Sequence, residues 1–202
     1  MFLFFFSIST FSQPLQDSKS IVQEKIVENF ENFDLNKIKV FSKDDILPEY
    51  RISKFLTSPL KISESSFMIR ILDEASSFHV QWKKPYEIEG YIENFEFQIY
   101  SNNTGGNIFL FLVDTHGIQH KIIIVRLDFK GWKSVLVPIE GKIDQNDWVI
   151  NKDIKSQFLG FFYEPPKNIN KEKEKLVVID DISVKVRKKY KINQAKIQEL
   201  VK

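Results

Sequence analysis

The stretch Asn107–Pro138, NIFLFLVDTHGIQHKIIIVRLDFKGWKSVLVP, decides the fold class. Two β-rich runs, Ile108–Val113 and Ile118–Leu127, flank the tetrapeptide Asp114-Thr115-His116-Gly117, and a third run, Trp132–Val137, follows Gly131. Branched and aromatic side chains fit a pleated, half-buried surface, and Asp and Gly fit a tight reversal. The stretch predicts successive antiparallel strands in the middle of a sheet.

Outward from it, the same pattern repeats. Phe78–Trp82 puts Phe78, Val80 and Trp82 on one face and His79 and Gln81 on the other. Tyr91–Tyr100 is the longest alternating run, with Phe95, Phe97 and Ile99 sharing a face, and Ser101–Gly106 (SNNTGG) is a strong turn. Phe67–Leu72, Phe158–Tyr163 and Leu176–Val186 supply further strands, the last broken in register at Asp180-Asp181. Ile26, Phe30 and Phe33 are expected to anchor the start of the domain, and Asp44–Lys61, with Pro48 and Pro59, reads as a long irregular connection. About ten strands with long Gly/Pro-bounded connections and no convincing helix in the body predict an all-β jelly-roll sandwich of two antiparallel sheets. That architecture is carbohydrate-binding-module-like or galactose-binding-like.

The 202 residues show no internal repeat and fit one domain. A 43% apolar and 28% charged composition belongs to a folded chain. The net charge of +2 is too small to argue for a nucleic-acid partner. With no cysteine, disulfides, thiolate catalysis and Cys-ligated zinc are excluded.

Met1–Phe11, MFLFFFSISTF, is a short uncharged apolar run, and Thr10 and Ser12 put small residues before a cleavage ahead of Gln13. This is the form of a secretory signal, too short to span a bilayer, and no other run approaches that length. The missing basic n-region places the expected start of the signal upstream. The expected organisation is a signal peptide over 1–12, a flexible lead-in over 13–24, the β-sandwich over 25–188, and a basic tail over 189–202 with a short helix.

Candidate chemistry is sparse. His116 and His120 flank a reversal beside Asp114, which is two imidazoles and a carboxylate without a fourth metal ligand. No Ser or Thr lies in a nucleophile-elbow context. Glu87, Glu89, Glu93 and Glu96 have no spacing that selects two of them for glycoside hydrolysis. The expectation is a protein that is not an enzyme and requires no cofactor. Jelly rolls often set their first and last strands side by side, which would bring Glu31 to Asp180 and Asp181. Hard carboxylate oxygens there would suit a structural calcium ion. Trp82 and Trp132 sit in apolar alternation and are expected in the core, whereas Trp148, in DQNDWVINKD, is expected exposed. Trp148 and the basic strand end Lys185, Arg187, Lys188 and Lys189 are the candidate partner contacts.

Several motifs occur in an order that resembles one known family. VENFE (Val27–Glu31) follows the export signal, then FHVQWKKP (Phe78–Pro85), then LVDTHGIQHKIIIVRLDFKGWKSVLVPI (Leu112–Ile139), then VIDDISV (Val178–Val184). The D-x-x-G turn with His120, paired with F-x-G-W-K at Phe129–Lys133, carries most of the specificity. This order resembles the spirochaete flagellar filament outer-layer (sheath) protein family, FlaA. An early Trp after VENFE and a Trp-bearing strand at Tyr100-Ser101 are missing, and Lys37–Glu64 matches poorly. The resemblance implies an exported structural subunit in the periplasm that coats the flagellin core of the periplasmic flagellum. Its expected partners are flagellin and other sheath subunits, and its role is in filament curvature, stiffness and motility. A periplasmic carbohydrate-binding module is the alternative that the aromatic content and sandwich pattern also fit.

Overall fold

A computed structural model describes residues 22–59, 63–72, 76–145, 155–167 and 175–188. The expected signal peptide, basic tail, C-terminal helix, Trp148 and Lys189 lie outside the described residues. Among the described residues there are eleven strands: β1 (Val22–Glu28), β2 (Ile38–Ser42), β3 (Glu49–Ser53), β4 (Ser66–Ile71), β5 (Phe78–Ile88), β6 (Tyr91–Asn102), β7 (Asn107–Val113), β8 (Gln119–Arg126), β9 (Lys130–Pro138), β10 (Ser156–Glu164) and β11 (Lys175–Arg187). Leu35–Lys37 forms a single 3-10 turn, capped by the Asp34 side chain accepting from the Asn36 N–H. Among the described residues no helix is long and apolar enough to cross a membrane.

The strands form the jelly-roll β-sandwich that the alternation predicts. One sheet runs β3-β4-β11-β6-β9, and β1 pairs with β11; the other runs β2-β5-β10-β7-β8. Every pairing is antiparallel. First and last strands do lie side by side, with β1 on the second half of β11 and β4 on its first half. Between the sheets, Phe67 and Phe95 from one meet Phe161 and Phe158 from the other at ring distances of 6.0 Å. Trp82 stands edge-on to Phe158 at 5.0 Å. Phenylalanine supplies the bulk here because it fills the space without a polar atom to satisfy.

Four expectations need correction. β1 begins at Val22, inside the expected lead-in. Ile26 is 63% exposed, and Val27, Phe30 and Phe33 are the buried residues of that segment. The supposedly irregular Asp44–Lys61 contains β3, which among the described residues is an edge strand paired with β4 alone and therefore has a weak pattern. Trp132 does not enter the core: it is half-buried and packs edge-to-face on Tyr100 at 5.8 Å. On edge strand β9 the outward side chains lean on the sheet's outer surface, so apolar alternation there does not imply core.

Gly131, expected to shape the turn that carries Trp132 into the core, instead lies inside β9 opposite Ser101, where its φ of +102° favours glycine. A Cβ there meets nothing within 4 Å, so the penalty is backbone strain alone. Gly131→Val is expected to cost about 1–3 kcal/mol, measured by urea unfolding; a protein as stable as wild type would refute this.

Candidate functional site

β10 is the centre of the second sheet and is apolar on both sides. Phe158, Phe161 and Tyr163 are buried in the core, while Phe162 points the other way. β7 does the same, with Ile108, Leu110 and Leu112 inward and Phe109 and Phe111 outward. The register aligns the outward residues into one row across all five strands. Phe41 faces His79, His79 faces Phe162, Phe162 faces Phe109, and Phe109 faces Ile123. At the two ends, Phe41 is 48% and Ile123 51% exposed; the rings between are half-buried.

The next row reads Lys39, Gln81, Gly160, Phe111 and Lys121. With no side chain at Gly160, Phe111 leans across the gap onto His79, with ring centroids 4.6 Å apart. The His79 ring also lies 6.3 Å from Phe41 and 6.4 Å from Phe162. Burial among these rings pushes the imidazole below its ordinary pKa, and Nε2 is buried with no hydrogen-bond partner among the described residues. Lys121 extends over the row, its Nζ 4.0 Å from the Phe109 centroid, 4.2 Å from that of Phe162, and 3.8 Å from Glu164 Oε1. The result is an apolar aromatic strip edged by Lys39, Gln81, Gln157 and Glu164.

The expected acidic cluster is assembled only in part. Asp180 is fully buried, and its Oδ2 accepts from the Ser58 N–H (3.0 Å) and the Ser63 hydroxyl (2.8 Å). Its Oδ1 accepts from the Asp181 N–H at 2.9 Å. Glu31 Oε1 accepts from the same Ser63 hydroxyl and from the Glu64 N–H at 2.8 Å. Burial pushes the Asp180 carboxyl above the ordinary range, more than its hydrogen bonds offset, and nearby Glu31 adds to the rise. Asp181, at φ +44°, occupies the bulge where β11 shifts register. This cluster ties the connection after β3 to β11.

The histidines of the β7–β8 turn form two separate pairs, His120 Nε2 with Asp114 Oδ2 at 2.7 Å and His116 Nε2 with Asp144 Oδ2 at 3.3 Å. Asp114 Oδ1 also accepts from the N–H groups of His116 and Ile118. Burial alone would raise the Asp114 carboxyl; the bonds from His120, Ile118 and His116 outweigh it and hold the group low. Among the described residues no three His, Cys, Asp or Glu side chains converge to hold a metal ion. Glu87 and Glu89 each lie 3.0 Å from the Lys155 ammonium, which they push up to about 12. Of the basic strand end, Lys185 is half-buried, while Arg187 and Lys188 are exposed, with Arg187 stacked 5.6 Å from the Tyr91 ring.

In β7 and β10 the aromatic row leaves no alternating pattern in the sequence, because these strands are apolar on both faces. Its signal is present in IFLFLV (Ile108–Val113) and FLGFFY (Phe158–Tyr163), two runs with no polar side chain where an alternating strand would have one at every second position. In an antiparallel sandwich that means an outer face that is not simply solvated.

No family model matches the sequence, and neither does any curated protein. Solved structures do. The chain is similar to the family 11 carbohydrate-binding module of the cellulosomal cellulase Lic26A-Cel5E of Clostridium thermocellum, with TM-score 0.51 at 12% identity over 82% of this chain and 95% of that one. A family 11 module from the same organism, in complex with a β-1,3-1,4-mixed-linked tetrasaccharide, matches with TM-score 0.51 at 13% identity over 83% and 98%. A structure described for the promiscuous specificity of carbohydrate-binding modules of the β-sandwich superfamily gives TM-score 0.54 at 11% identity over 76% and 59%. At such identities the likeness establishes the β-sandwich fold.

Proposed function

We propose that this chain is a non-catalytic binding domain that holds a neutral carbohydrate chain on the outer face of the β2-β5-β10-β7-β8 sheet. The observation that carries this reading is the row Phe41–His79–Phe162–Phe109–Ile123. Five strands at about 4.8 Å spacing make it roughly 19 Å long, which suits an extended oligosaccharide. Sugar rings offer apolar C–H faces that pack on aromatic rings, and Gln81, Gln157, Lys39 and Glu164 at the margins can meet the hydroxyls. A solved relative in fold carrying a mixed-linked tetrasaccharide supports the choice of ligand class.

Affinity electrophoresis through mixed-linked β-glucan tests it. Wild type should be retarded, and Phe41→Ala, at an exposed position, should bind roughly 10–30-fold more weakly, the equivalent of about 1.4–2 kcal/mol. Migration unaffected by any neutral glycan would sink the reading.

The ordered motifs from Val27 to Val186 favour a second reading, a sheath subunit of the periplasmic flagellar filament. The same apolar row would then pack on the flagellin core or a neighbouring sheath subunit. Under this reading the chain co-purifies with isolated filaments and ignores glycans; a chain abundant in the soluble periplasm and absent from filaments would exclude it.

A further inference from the structure

The outer face of the opposite sheet carries a second cross-sheet row, which the neutral-glycan reading does not use. Arg51 faces Met68, Met68 faces Val178, Val178 faces Tyr100, and Tyr100 faces Trp132. Val178 is fully buried although it lies outside the inter-sheet core, so its neighbours on this face cover it. Beside this row Glu49 faces Arg70, and Arg70 faces Leu176. The Leu176 N–H donates to Asn102 Oδ1 at 3.0 Å, and Asn102 faces Lys130.

At one end of the face Tyr100 and Trp132 form an edge-to-face pair, each ring half-buried. At the other end is a hollow of about 280 Å³ lined by Glu49, Tyr50, Arg51, Met68, Arg70 and Leu176. Among the described residues these two rows carry the charges of Arg51, Arg70, Lys130 and Glu49, and the Glu49 carboxylate is 3.1 Å from Arg70. Glu96 lies further along β6, held by Ser134 and Gln98. The surface therefore joins an aromatic platform with polar handles to a basic hollow. The Phe row on the other sheet has no guanidinium.

We infer that this face is a second binding surface, for a linear acidic polysaccharide laid across the strands. A sugar ring packs on Trp132 and Tyr100, and a carboxylate further along the chain reaches Arg51 at the hollow. A guanidinium presents a planar donor fork to a carboxylate, and indole and phenol rings combine an apolar face with a hydrogen-bonding edge. Because the two faces lie on opposite sides of the sandwich, this site does not depend on the neutral-glycan one.

The test is titration with oligogalacturonate at low and at physiological salt, followed by calorimetry. Wild type should bind and weaken with salt. Arg51→Ala should reduce affinity roughly tenfold and flatten the salt dependence, and Trp132→Phe should reduce it less than Trp132→Ala. Phe41→Ala should leave acidic binding unchanged while it weakens β-glucan binding, so failure at either face is seen separately. Absence of acidic binding in wild type, retention in both Arg51→Ala and Trp132→Ala, or loss in Phe41→Ala would each overturn the inference.

Discussion

A Gly160→Ala protein is expected not to reach the native sandwich, or to melt some 10–20 °C below wild type, corresponding to about 5 kcal/mol in a domain of this size. Gly160 sits where β10 bulges between β5 and β7, at φ +146°. A Cβ there would fall on the Val80 carbonyl oxygen, with the Val80 carbonyl carbon at 3.0 Å and Gln81 Cα at 3.1 Å. These are backbone atoms of a central strand and have nowhere to move. Strain at the φ value costs about 1–3 kcal/mol, and the overlap a comparable amount. Phe111 and His79, which close over the missing side chain, would be displaced too. Thermal melting followed by circular dichroism reads the outcome; a variant within 1 kcal/mol of wild type would mean that β10 can slide without loss.

Asp180→Ala should be nearly as damaging, at about 2–4 kcal/mol. The substitution strands the N–H groups of Ser58 and Asp181 and releases the Ser63 hydroxyl, which also holds Glu31. Its pH signature is distinctive. The folded carboxyl is raised relative to the unfolded chain, so its contribution is fully present below the unfolded value near 3.8 and is lost as pH rises through the folded value. Asp180→Asn, which cannot ionise, should flatten that part of the profile of melting temperature against pH. If wild type and Asp180→Asn have parallel profiles, burial does not govern the group. The same melts in calcium and in EDTA decide whether an ion joins the pair. An ion shared by Glu31 and Asp180 raises the melting temperature of wild type in calcium and leaves that of Asp180→Ala unchanged.

How much of this was legible in the chain depended on which face a residue serves. Inward positions were readable: Phe78, Val80 and Trp82, or Phe95, Phe97 and Ile99, alternate against polar neighbours and are all buried. The adjacency of β1 and β11, and the bulge at Asp180-Asp181, followed from jelly-roll logic and a broken pattern. Outward positions were not readable by the same rule. Trp132 looked like core because alternation tells which residues share a side, not which side is inside. Phe109, Phe111 and Phe162 disappear in wholly apolar runs until the register sets them beside Phe41 and His79. Ser58 and Ser63 gave no signal at all, since their role depends on a contact to Asp180 across more than a hundred residues.

The position of β11 also governs time. It pairs with segments beginning at residues 22, 66 and 91, so the six-stranded sheet cannot close until the two ends of the domain have met. Chains whose pairings are this non-local fold slowly, in roughly milliseconds to seconds. Until β11 is seated, β4 and β6 present bare edges, and the Phe-rich strands of the opposite sheet lack their cover. That interval is when the chain is most open to aggregation, and also when it is most pliable for any machinery that must move it unfolded.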